Sequence, residues 1–166
     1  VVTATRAEYG LLKGIIKSLS AIPGYAVNVA VTGTHLSPDF GMTYREIEND
    51  GIPIDRKISI LADGDTPSAV SKTMGQAMMQ FADYFEESKP DMLLVLGDRY
   101  ETLAICIAAM NQRIPIAHLY GGETTEGAID EVIRHAITKL SFLHFTSTES
   151  YRRRVIQLGE APKRVF

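Results

Sequence analysis

The stretch IPIAHLYGGETTEGAIDEVIRHAITK, residues 114–139, decides the fold. It opens as a short apolar run of strand type (114–119) and stops at the pair Gly121–Gly122. A polar loop follows, with Glu123, Thr124, Thr125, Glu126 and Gly127, and a helix is expected from near Ala128. On that helix Ile129, Val132, Ile133, Ala136, Ile137 and Leu140 share one side at i, i+3, i+4, i+7 spacing, which predicts a buried stripe. Asp130, Glu131, Arg134, His135 and Thr138 gather on the other side. A strand thus ends in an acidic loop and feeds a helix with an acid–base–histidine face. Open α/β sheets place their ligands at such strand ends.

The same alternation extends in both directions. Strands are expected at 1–4, 25–32, 54–61, 91–96, 114–119 and 142–146. Helices are expected at 9–22, 42–49, 68–88, 102–111, from near 128, and at 148–158, with Pro67 suited to a first helical turn. Strands alternating with helices imply βαβ units and a parallel sheet. The continuous apolar run DMLLVL agrees, because parallel strands are buried on both faces. The predicted fold is a Rossmann-like three-layer α/β sandwich. Residues 164–166 read as the start of one more strand, and the chain opens directly on a strand at Val1, so the sequence reads as a piece of a longer protein.

Composition narrows the function classes. The 166 residues suffice for one domain with its own core, and 45% hydrophobic with 22% charged residues is a globular balance. A net charge of −3 gives no case for nucleic acid. The cluster Arg152–Arg153–Arg154 reads as a solvated helix face. The single Cys106 excludes an internal disulfide and a cysteine zinc site, and its setting LAICIAAM predicts a buried, inert thiol. No run reaches the roughly 18–20 apolar residues of a membrane span, and no signal peptide is visible, so a cytoplasmic protein is expected. The G-x-G-x-x-G, Walker A and G-x-S-x-G patterns are absent, as are histidine pairs at zinc spacing.

What remains is a set of polar residues at strand ends: Arg6 and Glu8 after the first strand, His35 after the second, Asp98, Arg99 and Glu101 after the fourth. His118 and Glu123 follow at the fifth, and then Asp130, Glu131, Arg134 and His135. A parallel sheet brings such ends to one edge. Arg6, at a helix start, suits a phosphate, or else a salt bridge to Glu8 or Glu101. Asp98 can also serve as a helix cap, and the pairs Asp130–Arg134 and Glu131–His135 as helix-stabilising i, i+4 contacts. His118 and His144 also read as satisfied core histidines. Neighbouring carboxylates raise one another's pKa, so that one stays an acid while another acts as a base. With Arg6 and Arg99 to hold an anion, the set points to a phosphorylated leaving group beside a proton-transfer centre.

The blocks TATRAEYG, VTGTHLSPDFG, LVLGDRYE, HLYGGETTEGAIDEVIRHAITK and STESYRRRVIQLGEAPKRVF together resemble the hydrolysing UDP-N-acetylglucosamine 2-epimerases, nearest to the sialic-acid branch. The resemblance runs along the whole chain. It implies a glycosyltransferase-B enzyme of two Rossmann-like domains, of which residues 1–166 are the N-terminal one, nearly inactive alone. It implies loss of UDP from C1 with a proton from C2, a 2-acetamidoglucal, and hydration to N-acetylmannosamine. No metal or nicotinamide is needed for this, and the family suggests a homodimer. By motif position Asp98 and Asp130 match catalytic carboxylates, Arg6 and Arg99 match phosphate contacts, and Glu131, Arg134 and His135 share the block. Many relatives carry Glu two residues after the strand-five histidine. Tyr120 stands there in this chain, which passes the third carboxylate role to Glu123. A glycosyltransferase of the same architecture, or a sugar-nucleotide sensor, are the competing readings.

Overall fold

The structure, a computed structural model, describes residues 1–125 and 129–166. The strands are β1 Val2–Thr3, β2 Ala30–Thr32, β3 Arg56–Ile58, β4 Leu93–Leu96, β5 Ile116–Leu119 and β6 Leu143–Phe145. Between and after them run α1 Arg6–Ser20, α2 Tyr44–Asn49, α3 Pro67–Ser88, α4 Tyr100–Asn111, α5 Asp130–Leu140 and α6 Glu149–Gln157. Every described strand pairing is parallel, as the βαβ alternation predicts. The strands are shorter than the apolar runs, because burial continues past the last ladder bond: Val29 and Ile60 are buried outside their strands.

Two compact units are present, Val1–Leu61 and Ala62–Phe166. The first holds the sheet β1-β2-β3 with β2 central, the second β4-β5-β6 with β5 central. The core of the first centres on Leu12, Ile16, Val31, Ile47 and Ile60. In the second, Phe81 and Phe85 of α3, Ile105 and Cys106 of α4, Ile116 and Ile137 are all but fully buried. Burial pushes the Cys106 thiol up to about 12, so it is the inert core residue expected. Val165 makes a parallel bridge to His144, so the apolar tail runs beside β6 as its sequence predicts.

Two expectations are corrected. The first helix, expected from Tyr9, starts a turn earlier at Arg6: the Thr5 hydroxyl accepts from the Glu8 amide at 3.2 Å, and Glu8 Oε2 accepts from the Ala4 and Thr5 amides at 2.7 and 3.1 Å. This is a capping box, which satisfies the orphan amides of a first turn. The second correction concerns α5, whose predicted helix start near Ala128 lies outside the described residues. Its buried face is Ile133, Arg134, Ile137 and Thr138, while Ile129 and Val132 are 64% and 73% exposed. A buried arginine turns the helix away from its apolar stripe because the groups that satisfy its charge lie beneath it.

Candidate active site

Within residues 62–166 the strand register builds the site's floor. Leu96, Leu119 and Phe145 stand side by side across the sheet, so the segments leaving β4, β5 and β6 emerge at one edge. Gly97, at φ +81°, turns the chain off β4 and presents Asp98. That turn is held from below. His118 is fully buried, and its Nε2 donates to the Gly97 carbonyl at 2.7 Å. Its Nδ1 lies 3.5 Å from the Thr138 hydroxyl, which can then donate to it. Burial lowers the His118 pKa to about 4, so the neutral Nε2–H ring that this bond requires is the stable form. His118, expected among the substrate contacts, therefore anchors the turn that carries Asp98.

Arg134 is the centre of the cluster. Its Nη2 pairs with Asp98 Oδ2 and also donates to the Thr125 hydroxyl at 2.9 Å, while Nη1 donates to the Glu123 carbonyl at 2.6 Å. One buried guanidinium thus fastens the β4 turn, the loop after β5 and α5 together. Burial raises the Asp98 pKa, helped by the charge of Asp130, against the downward pull of Arg134. A carboxyl with raised affinity for a proton, beside a fixed cation and a second carboxylate, is the arrangement that proton transfer uses.

The loop is fixed from its other side by the segment leading into α6 and by α6 itself. Ser147 donates to Glu123 Oε1 at 2.7 Å. Arg154 donates through Nη1 to the Thr124 hydroxyl and through Nη2 to Glu131 Oε1. Gly122, at φ +81°, lies so close to α6 that a Cβ there would sit 2.4 Å from the Tyr151 carbonyl oxygen. Glycine is required at that point both by conformation and by space. The expectation of a solvated arginine face is corrected for Arg154, and Arg152 too is engaged, donating to the Val165 carbonyl at 2.9 Å.

The other sequence-derived residues are placed as follows. Arg99 pairs through Nε with Glu101, whose side chain is fully buried in the first turn of α4 and leaves Oε2 without a hydrogen bond. His135 lies on the partly exposed side of α5, with Nε2 at 3.8 Å from Glu131. In the other unit, Arg6 is exposed at the start of α1 and pairs with Glu46 at 2.8 Å. His35 is fully buried, with ring nitrogens 3.1 Å from the Thr3 hydroxyl and 2.8 Å from that of Thr43, and burial lowers its pKa to about 4. Both nitrogens being taken, His35 ties β1 to the segment before α2 and has none left for a ligand. Thr124, Thr125 and Ser147 were not singled out as site residues from the sequence, and the T-T pair after an acid is the one signal for the first two; Arg154 was read only as part of the arginine cluster. Among the described residues no group of three or more His, Cys, Asp or Glu is arranged to hold a metal ion. Among them, too, no helix is long and apolar enough to cross a membrane.

Parallel sheets with flanking helices and an acid–arginine cluster at the strand ends define a Rossmann-like domain of the glycosyltransferase-B type. The model of the UDP-N-acetylglucosamine 2-epimerase family matches residues 17–166, and the chain belongs to that family. It is 47% identical over 166 residues to a GDP/UDP-N,N'-diacetylbacillosamine 2-epimerase (hydrolyzing) of Campylobacter jejuni, covering all of this chain and 43% of that protein. It is 42% identical over 165 residues to the polysialic acid biosynthesis protein P7 of Escherichia coli, covering 99% of this chain and 42% of that protein. The fold matches a crystal structure of UDP-GlcNAc 2-epimerase from Neisseria meningitidis bound to UDP-GlcNAc, with a TM-score of 0.88 and 24% identity over 99% of this chain and 44% of that one. The chain thus spans less than half the length of these relatives.

Proposed function

We propose that the chain is the N-terminal Rossmann-like domain of a two-domain hydrolysing 2-epimerase acting on a UDP-linked 2-acetamido sugar. The observation that carries this reading is Asp98, its proton affinity raised, held by Arg134 with Asp130 acting on it at the mouth of β4. In the reaction a carboxylate takes the proton from C2 as the C1–O bond breaks, and the bonding pair leaves on the diphosphate oxygen. The product is a C1=C2 glycal plus UDP. Water then adds across that bond, the hydroxyl to C1 and a proton to the opposite face of C2, giving the free 2-epimer. The proposed catalytic carboxylates are Asp98, Glu123, Asp130 and Glu131, with Asp98 and Asp130 the proton-transfer pair and Glu123 in the third carboxylate's place. Arg134 keeps the group in register, and Arg6 and Arg99 are assigned to the diphosphate by motif position. The catalytic set needs no metal or nicotinamide.

The motif resemblance implies UDP-N-acetylglucosamine as substrate and N-acetylmannosamine as product. The 47% identity to a diacetylbacillosamine epimerase favours a sugar with a second acetamido group at C4. Both substrates undergo the same bond changes at C1 and C2, so one experiment addresses both. The full-length protein is mixed with each nucleotide sugar in D₂O and followed by proton NMR. Release of UDP with the 2-epimer deuterated at C2 is the expected result, and the faster substrate defines the specificity. Release of UDP only when an acceptor is added would replace this reading with a glycosyltransferase. Binding without turnover of either sugar would replace it with a sensor.

A further inference from the structure

The arginine on α6 has a role that the reaction scheme above does not use. Arg154 reaches two places at once: Nη2 to Glu131 Oε1 on α5, and Nη1 to the Thr124 hydroxyl in the loop after β5. Glu131 has a second basic neighbour, His135, but its Nε2 stands 3.8 Å away, beyond hydrogen-bonding distance. The carboxylate is therefore oriented by α6 and not by its own helix. The surroundings make the grip rigid. Gly122 is pressed against the Tyr151 carbonyl, Ser147 holds Glu123, and the Thr148 hydroxyl caps α6 by accepting from the Tyr151 amide at 3.3 Å. Val155, the neighbour of Arg154, is fully buried, which fixes the rotation of α6 about its axis.

We infer that Arg154 is a positioning residue for the reaction: it holds Glu131 and the Glu123–Thr125 loop in the geometry that proton transfer requires. This rests on the epimerase reading, so its test begins with turnover by the wild-type full-length protein. A planar guanidinium can bridge two acceptors, whereas an ammonium offers one point charge on a flexible stem. Arg154→Ala is then expected to lower kcat roughly tenfold to a hundredfold with KM changed less than about threefold, the scale of a misplaced catalytic group. Arg154→Lys should recover part of that loss. Arg153→Ala, on the exposed side of the same helix, should match wild type in both parameters.

The deciding measurement is a double-mutant cycle on kcat with Glu131→Gln. If Arg154 acts through Glu131, adding Arg154→Ala to Glu131→Gln lowers kcat by less than about threefold further, because coupled sites are not additive. Full additivity in the cycle, or a kcat for Arg154→Ala and Arg154→Lys within twofold of wild type, overturns the inference and leaves the epimerase reading standing. No turnover by wild type overturns that reading, and this one with it. Melting curves of each variant separate a folding defect from a kinetic one, and the lysine variant, which keeps the charge, serves if the alanine variant is lost to unfolding.

Discussion

Asp98 and Arg134 pull in opposite directions on one proton. Burial and Asp130 favour the protonated carboxyl, and the guanidinium favours the anion. Asp98→Asn keeps an amide oxygen for Arg134 to donate to while removing the group that exchanges a proton. It is expected to lower kcat by about two to four orders of magnitude while leaving the melting temperature near wild type; an active Asn variant would remove Asp98 from the chemistry. Arg134→Ala is the opposite case. It strips the partner from a carboxylate whose side chain is 23% exposed and from a loop carbonyl, and is expected to destabilise the fold by about 3 kcal/mol. Urea titration of the two variants side by side checks the contrast. The carboxylates of this cluster were legible in the sequence because several acids fall at strand ends that a parallel sheet brings to one edge, although each alone also reads as a cap or a helix pair. The role of His118 was less so, because a histidine that braces a turn and one that meets a ligand occupy the same position in a sequence.

At the scale of elements, the sequence placed a helix at each of the six α-helices of the described residues, and hydrophobic period mis-set the buried face of one of them. Periodicity assigns every apolar residue to the core and every charge to water, which fails where a charge has a buried partner. Arg134 has Asp98 and the Glu123 carbonyl, so α5 turns that side inward and leaves Val132 out. Val132→Ser is accordingly expected to change stability by less than about 0.5 kcal/mol, whereas Ile137→Ala, at a fully buried site, should cost about 2–5 kcal/mol. Comparable losses for the two variants would contradict the observed rotation of the helix. Gly122→Ala tests the loop in the same way. Its Cβ would meet a backbone carbonyl, not a side chain that could move, so the loop must shift, and kcat should fall with it. The start of α1 was legible too, in the T-x-x-E of residues 5–8, but the same letters also read as a turn. What separates the two is the capping geometry, which only coordinates supply.

At the scale of the whole molecule, the buried histidines set the acid response. His35 and His118 have pKa values lowered to about 4 from 6.5, each by burial first, and His144 is lowered by burial against the pull of Glu160. A histidine that stays neutral in the fold but takes a proton freely when unfolded makes the unfolded state the stronger proton binder below about 6.5. Stability from these groups is therefore complete above that pH and is lost as pH falls below 6.5, on the order of 3 kcal/mol for each of His35 and His118 by the time pH passes below 4. Asp98 runs the other way, since its folded carboxyl binds a proton more readily than the free side chain, but it is one group against three. The net expectation is a protein that weakens steadily between pH 6.5 and 4. Histidine ring proton shifts followed by NMR should stay on their neutral values down to about pH 5 for His35 and His118. Urea midpoints over the same range should fall with pH. A flat midpoint, or buried rings that titrate near 6.5, would mean that solvent reaches them, and with it that the turn carrying Asp98 is not held as His118 holds it here.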